Sequence, residues 1–442
     1  MLKRKIYNEL LNWKKRRQEQ KKESLIIKGA RQVGKTSVVE EFGKEEYESF
    51  IEINFIKRPD LKSVFKGSKE PSSIYSNISL YMPDVKIIPG KTLLFLDEIQ
   101  RCGDARTAIK FLASDFTVDV ISSGSLLGLE YGEDGDEGVE TPESIAVGFE
   151  LELKMYSLDF EEFLWAKGYT DNHIRILKTY FESGEKIPIS INDKFEQLFR
   201  EYMIIGGMPE VVATYISSND FGEAFRIQEK IISDYQDDIS AHAKGEQKIK
   251  VRACYESIPR QLARELKRFQ YAFVEKGKTS RKYGGSVKWL KDSELVNVCY
   301  NVREPFIPLM ANENEEQFKL YINDTGLLTQ MYGRDTKIAI MNNSLKGNAK
   351  GAVYENIIAE LLVKKGYKLH YYKPDDDHEL EFVIEKFGEV LPIEVKSGNT
   401  KSKSLNDFID RYAPSVGYKL INGNQGTTDG KKTIPHYMVM FL

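Results

Sequence analysis

The stretch Ser24-Leu25-Ile26-Ile27-Lys28-Gly29-Ala30-Arg31-Gln32-Val33-Gly34-Lys35-Thr36-Ser37 decides the fold of the first third of the chain. Gly29, Gly34, Lys35 and Thr36 occupy the fixed positions of the pattern G-x-x-x-x-G-K-[ST]. The apolar run Leu25–Ile27 before it reads as a short buried strand, and a helical pattern from Thr36 to Phe42 follows it. Strand, glycine-rich loop and helix in that order make a phosphate cradle. Glycines let backbone N–H groups close around phosphate oxygens, and the helix N-terminus adds partial positive charge. Gly29, Ala30, Arg31, Gln32, Val33, Gly34, Lys35, Thr36 and Ser37 are therefore the predicted nucleotide-binding set, with ATP as ligand. Lys35 is suited to the β- and γ-phosphates, and the Thr36 hydroxyl to a Mg²⁺ ion. The competing explanation is a glycine-rich turn that matches the pattern by chance.

Working outward, a phosphate loop of this kind needs a metal-holding acid on a neighbouring strand. Thr92-Leu93-Leu94-Phe95-Leu96-Asp97-Glu98 supplies it. The apolar residues make a buried strand, and Asp97 emerges at its carboxyl end as the second predicted metal ligand beside Thr36. Glu98 follows as the residue to orient and polarise an attacking water. The alternative is that both acids only cap the next helix. The strand Val118–Ser123 ends in Ser-Ser-Gly-Ser, so Ser123 or Ser125 is placed to hydrogen-bond the water or the γ-phosphate; turn chemistry is the other reading. Lys35, Glu98 and Ser123 form the expected catalytic set. Arg101 and Arg106 follow the acids, but neither is distinguishable from a solvated helix residue, so no arginine finger is assigned.

The remaining strand candidates in this region are Phe50–Phe55 and Phe149–Met155, with helical patterns between. That rhythm predicts a mostly parallel sheet with helices on both faces, its ligand at the carboxyl ends of the strands. Residues 1–20 read as a basic helix with Ile6, Leu10 and Trp13 on one face. Glu130–Glu143 is acidic, Gly-rich and aperiodic, and reads as a loop. Its Asp134–Asp136 spacing lacks a full calcium-ligand pattern.

The whole chain has 442 residues, enough for two or three domains, with 41% hydrophobic and 30% charged content. A net charge of −3 argues against a uniformly basic nucleic-acid coat. No apolar run approaches the length of a membrane helix, and the amino-terminal stretch has no signal-peptide character, so a cytoplasmic protein without membrane partners is expected. Three scattered cysteines and five histidines without paired spacing suggest neither a disulfide framework nor a zinc site.

Gly-Ala-Arg-Gln-Val-Gly-Lys-Thr together with Leu-Asp-Glu-Ile-Gln resembles the AAA-type P-loop ATPase domain of a large prokaryotic family, in which a C-terminal domain of unknown function follows. The resemblance continues through Tyr156–Phe163, Gly206-Gly207-Met208-Pro209-Glu210, Asp234–Ile239, Trp289-Leu290 and Leu320–Leu328. It implies ATP and Mg²⁺ binding with the roles above for Lys35, Thr36, Asp97 and Glu98. Members commonly carry Gly-Arg where this chain has Gly148-Phe149, which removes any role for that arginine.

Arg252–Lys291 contains eleven Lys/Arg against three Asp/Glu, with Phe269, Tyr271, Phe273, Tyr283 and Trp289 interleaved. A basic helix–turn–helix surface suits DNA backbone contacts, and the resemblance implies a winged-helix-like unit here. Against this, Phe269, Tyr271 and Phe273 alternate as a half-buried strand does, and Arg264, Lys267 and Arg268 fit a solvated helix face. Asn301–Asn312 reads as a connection.

Further on, Glu379–Ile384 and Val390–Lys396 read as a hairpin around Phe387-Gly388. Cross-strand partners then place Glu381 opposite Glu394, with Lys396 on the same face. An acid followed by E-x-K on the next strand is the layout of restriction-endonuclease-like sites, where carboxylates hold Mg²⁺ and a lysine assists water attack. Glu355, on a preceding helix, completes the candidate set Glu355, Glu381, Glu394 and Lys396. The resemblance implies the same fold, although a glutamate stands at 381 where such nucleases carry aspartate. A salt-bridged relic is the alternative.

The expected organisation is an α/β AAA-type P-loop domain at 1–165, a helical and winged-helix-like domain at 166–310, and a small restriction-endonuclease-like α/β domain at 311–442. The expected activity is ATP hydrolysis whose nucleotide state controls a DNA-facing C-terminal module. The alternatives are a slow-turnover scaffold for a protein partner, and a Mg²⁺-dependent nuclease coupled to an ATPase. An oligomer is compatible with all three.

Overall fold

Leu25, Ile27, Leu93, Phe95 and Ile121 point to one side of their strands, while Ile26, Leu94, Leu96, Val118 and Val120 point to the other. This two-sided apolar alternation requires helices on both faces of a sheet. The computed structural model builds that arrangement. It describes residues 2–124, 148–243, 245–277, 279–375, 377–397, 402–428 and 430–442. Ser125 and the acidic run 130–143 lie outside the described residues.

The chain forms two compact units that meet at Ser157/Leu158. The first holds β1 (Ser24–Lys28), β2 (Ser49–Asn54), β3 (Thr92–Asp97), β4 (Val118–Gly124) and β5 (Glu150–Lys154) in the order β2-β3-β4-β1-β5. Every neighbouring pair is parallel. On one face α1 (Ile6–Gln18) and α2 (Lys35–Glu46) contribute Leu10, Trp13, Val38, Val39 and Phe42 to the core. On the other, α3 (Pro71–Tyr81) and α4 (Gly103–Ser114) contribute Ile74, Ile78, Ala105, Ala108, Ile109 and Leu112. Arg17 at the end of α1 is buried, its Nε 2.8 Å from Asp119 Oδ1. In the strand order β1 lies between β4 and β5, and the glycine loop leaves its carboxyl end, the side of an open parallel sheet on which ligands bind.

The second unit begins with α5 (Phe160–Ala166), α6 (Asp171–Ser183), α7 (Ile189–Ile205), α8 (Pro209–Ser218), α9 (Phe221–His242), α10 (Glu246–Leu262) and α11 (Ser280–Asp292). It continues with β6 (Val296–Val302), β7 (Glu313–Ile322), α12 (Thr325–Tyr332), α13 (Arg334–Met341), α14 (Gly347–Lys364) and β8 (His370–Tyr372). It closes with β9 (Leu380–Lys386), β10 (Glu389–Val395), α15 (Lys403–Tyr412), β11 (Gly417–Ile421), β12 (Gly426–Thr428) and β13 (Lys431–Pro435). Among the described residues its strands form one mixed sheet, ordered β12-β13-β11-β10-β9-β8-β6-β7.

Two expectations are corrected here. The boundary at 310/311 falls inside the loop joining β6 and β7, which pair antiparallel. β6 also pairs with β8, so the middle and last segments share one sheet. The reason is backbone hydrogen bonding: a hairpin whose outer edge is β7 leaves β6 free to accept β8. The second correction concerns Phe269, Tyr271 and Phe273, which form no strand. Tyr271–Phe273 is a short 3₁₀ turn. Their period of two arises because each ring has a separate partner: Phe269 stacks on Phe318, Tyr271 on Tyr283, and the Arg264 guanidinium lies 3.6 Å from the Phe273 centroid.

Polar motifs in this unit close on one buried network. Leu158 N–H donates to Gly207 O at 2.7 Å, and Leu158 O accepts from Tyr202 Oη at 2.6 Å and Lys364 Nζ at 2.8 Å. Asp324 Oδ2 accepts from Gly207 N–H at 2.7 Å, and Glu360 Oε2 accepts from Thr325 N–H at 2.7 Å. A Cβ at Gly207 would strike Leu158 O, and one at Gly206 would strike Asp324. The glycine pair is thus required by close approach as well as by turning.

Candidate functional site

Lys28 ends β1, and the loop after it bends through Gln32 at φ 65° and Gly34 at φ 94°, the residue that caps α2. Left-handed backbone of this kind favours glycine. Gly29 is constrained differently: a Cβ there would run into Met155 O. Lys35 Nζ donates to Gly29 O and Ala30 O, each at 2.8 Å, which folds the ammonium over the loop. The cradle therefore ends at the first turn of a twelve-residue helix, where backbone N–H groups have no intrahelical partner.

Asp97 stands at the end of β3 and is 2% exposed. Its Oδ2 accepts from Thr36 Oγ1 at 3.0 Å and from Asn54 Nδ2 at 2.7 Å. Its Oδ1 accepts from Ser123 Oγ and, at 3.2 Å, from the Glu98 N–H. Every one of these donors is neutral. A buried carboxylate held only by neutral donors keeps its negative charge uncompensated, which is the chemistry a divalent cation satisfies. The residues present thus fit Mg²⁺, with Thr36 and Asp97 as the protein's contribution.

Glu98 adopts φ 57°, and its Oε2 accepts from Gln100 Nε2 at 2.7 Å. A non-glycine residue held left-handed costs about 1–3 kcal/mol, and such strain gathers where a side chain must be aimed. Arg106 is engaged with Glu150 in a largely buried pair, which gives it a structural partner. Gly148-Phe149 contributes backbone: Phe149 O accepts from Ser24 N–H at 2.8 Å.

The structure brings Lys35, Thr36, Asp97 and Ser123 together in the first unit. Sequence reading missed Asn54 and Gln100. Asn54 is the polar end of β2 and lies directly opposite Asp97 in the register. That signal exists only once β2 is known to neighbour β3.

In the second unit the hairpin forms in the expected register, from Lys386↔Glu389 to Phe382↔Ile393. Phe387 at φ 54° and Gly388 at φ 83° give its two-residue turn the left-handed pair that matches strand twist. Lys396 Nζ lies 3.6 Å from Glu381 Oε1 and 3.2 Å from Glu394 Oε1. Glu381 Oε2 also accepts from Val395 N–H at 2.9 Å. Burial pushes Glu381 up to about 7, against the opposing pull of Lys396. Glu355 is paired with Lys267 and, at 3.6 Å, with Lys319, and it lies near enough to Glu381 and Lys396 to act on both electrostatically. Burial opposes its ionisation, yet those two ammonium groups hold it below the usual carboxylate range. A fourth acid, Glu379, was not singled out by the sequence. Despite its burial it is brought down to about 2 by Lys319 at 2.7 Å and Lys373 at 3.1 Å. Among the described residues no group of three or more His, Cys, Asp or Glu is arranged to hold a metal. Each of these acids has a lysine within ion-pair distance.

Residues 21–164 match the family described as AAA domain. Residues 196–338 and 350–438 match two domains of unknown function, DUF8612 and DUF4143. Uncharacterised proteins of Mycobacterium tuberculosis and Mycobacterium bovis are each 34% identical over 101 residues. That match spans 22% of this chain and 22% of those relatives' length. An uncharacterised protein of Haemophilus influenzae is 24% identical over 386 residues, 84% of this chain and 81% of that one. Among solved structures, a Walker-type ATPase of Pyrococcus abyssi is 15% identical with a TM-score of 0.42, covering 75% of this chain and 96% of that one. The glycine loop on a parallel sheet, its buried acid and the matched segments identify an AAA-type P-loop ATPase domain followed by a C-terminal domain of unknown function.

Proposed function

We propose that the chain binds ATP with Mg²⁺ at Gly29–Ser37 and hydrolyses it, and that nucleotide state controls a nucleic-acid-facing second unit. The observation that supports hydrolysis most directly is the 3.0 Å contact between Thr36 Oγ1 and Asp97, flanked by Asn54 and Ser123. Lys35 and the loop N–H groups bind and orient the triphosphate. Thr36 and Asp97 would hold Mg²⁺, which supplies positive charge to the phosphoryl oxygens. Glu98, aimed by Gln100, accepts the proton of the attacking water, and Ser123 fixes the orientation of Asp97. ATP turnover with and without duplex and branched DNA tests this. Turnover that DNA alters and Lys35→Ala abolishes supports it, and unchanged turnover in Lys35→Ala refutes it.

One observation favours the second reading, a nucleotide-dependent scaffold for a protein partner. The loop between β6 and β7 exposes Phe306, Ile307 and Met310 at 55%, 46% and 59%. Turnover insensitive to DNA, with no gel shift, distinguishes that reading. The nuclease reading is the least favoured, because every acid of its candidate set has a lysine within ion-pair distance.

A further inference from the structure

The middle segment, β7 and the β8–β9 connection enclose a cleft of about 290 Å³ lined by Lys267, Arg268, Arg303, Lys319, Lys373 and Glu379, among others. With Asp375 included, its lining carries a surplus of three positive charges. The lining groups divide into two kinds. Lys267, Lys319, Lys373 and Glu379 are locked in ion pairs, with Lys319 fully buried beneath the cleft. Asp375 is turned into its own loop, accepting from the Asp377 and His378 N–H groups at 2.9 Å and facing His378 Nδ1 at 2.8 Å. Arg268 and Arg303 differ: both are exposed at the mouth, and neither forms a salt bridge or side-chain hydrogen bond among the described residues.

We propose that this cleft is a phosphate-binding site in which Arg268 and Arg303 clamp the oxygens of a nucleic-acid backbone phosphate. Guanidinium forks match phosphate geometry in two-pronged fashion, and ammonium groups at the floor add charge without changing place. Glu379 does not repel the anion, because Lys319 and Lys373 balance it. The aromatic rings of the basic segment support a backbone contact over base reading. Phe269, Tyr283 and Trp289 are buried, and the half-buried Tyr271 and Phe273 are already engaged, by the Tyr283 ring and the Arg264 guanidinium. This deepens the nucleic-acid part of the proposed function and is independent of ATP hydrolysis.

The test uses the full chain carrying Lys35→Ala, which mutes the glycine loop. A short fluorescein-labelled single-stranded oligonucleotide is titrated by anisotropy across salt concentrations, with inorganic phosphate as competitor. Arg268→Ala/Arg303→Ala is expected to weaken binding at least about tenfold and to flatten the log–log salt slope by about 0.7, one phosphate contact's worth for a single strand. Its melting temperature should match that of the parent, since neither guanidinium supports the fold. Arg268→Lys/Arg303→Lys should keep the salt slope but recover only part of the affinity, since an ammonium keeps the charge and loses the fork. If inorganic phosphate binds with the same arginine dependence and the oligonucleotide does not, the site takes a free phosphate. Equal binding of both probes to parent and Ala variant, or binding of neither to the parent, overturns the proposal. Loss of ATP turnover in Lys35→Ala reports on the loop alone, so the two readings fail separately.

Discussion

The two carboxylate centres of this chain are built on opposite electrostatic plans. Asp97 is buried, yet each of its donors is neutral: two hydroxyls, a side-chain amide and a backbone N–H. Glu355 on α14, Glu379 just before β9, Glu381 on β9 and Glu394 on β10 are buried or half-buried, and each has a lysine within ion-pair distance. A buried anion left with neutral donors is held ready for a mobile cation. An anion with its own ammonium group has its charge offset in part, although Glu394 keeps Oε2 buried without a hydrogen-bond partner among the described residues and burial still raises Glu381 to about 7. The comparison teaches where to look for metal-dependent chemistry, and it points to the first unit.

The largest effect expected from this contrast is on turnover. Asp97→Asn keeps the shape but removes the charge, and should lower the ATPase rate by about 10²–10³-fold, as loss of one charge-stabilising group does. A steady-state phosphate-release assay measures it. Retained turnover would mean that the charge at Asp97 is not needed and would erase the contrast.

Next in size is the effect of removing a compensating charge. Lys319→Leu removes the lysine that Glu355 and Glu379 share and leaves each with one ammonium partner, Lys267 or Lys373, so the loss should stay below the about 3–5 kcal/mol that breaking a buried pair outright costs. Urea unfolding followed by circular dichroism should register the loss in the second unit. An unaffected midpoint would show that these acids need no lysine.

A smaller loss is expected at the polar network around Leu158. Tyr202→Phe removes hydrogen bonds to Leu158 O and Glu360, at a cost of about 1–2 kcal/mol. Lys364 still reaches both acceptors and limits the damage. The same unfolding measurement checks this value.

The smallest effect sharpens the comparison through pH. Glu381 is raised to about 7 by burial, so the folded state holds its proton more tightly than the unfolded chain does. Its contribution to stability is fully present below the unfolded value near 4.5 and is lost as pH rises through about 7. Glu379, lowered to about 2, behaves oppositely: its contribution is present above the unfolded value and is lost as pH falls through about 2. Glu381→Gln should therefore flatten the stability profile between about pH 4.5 and 7 while leaving the acid limb intact. Melting temperatures across that range would reveal an unchanged profile if Glu381 were in fact ionised throughout.

Much of the first unit was legible in the chain. The spacing of Gly29, Gly34, Lys35 and Thr36 specifies a loop, because backbone hydrogen bonding to phosphate needs those residue types locally. β1 and β3 begin and end where the apolar runs do, and Asp97 is the first acid after four buried residues. The hairpin at 380–395 was equally readable, since the turn at Phe387-Gly388 fixes its register and puts Glu381 and Glu394 on one face. The alternation of Phe269, Tyr271 and Phe273 misled, because periodicity records which residues are buried and not what buries them.

What sequence could not supply were the relationships between distant segments. Asn54 reaches Asp97 only because β2 is laid beside β3, and Lys319 is made partner to Glu355 and Glu379 only by the path of β7 across the sheet. Local motifs are written in adjacent residues and survive inspection of the chain alone. Charge compensation depends on which strands neighbour which, so tertiary structure alone decided that Asp97 sits among neutral donors while the acids of the second unit lie beside lysines.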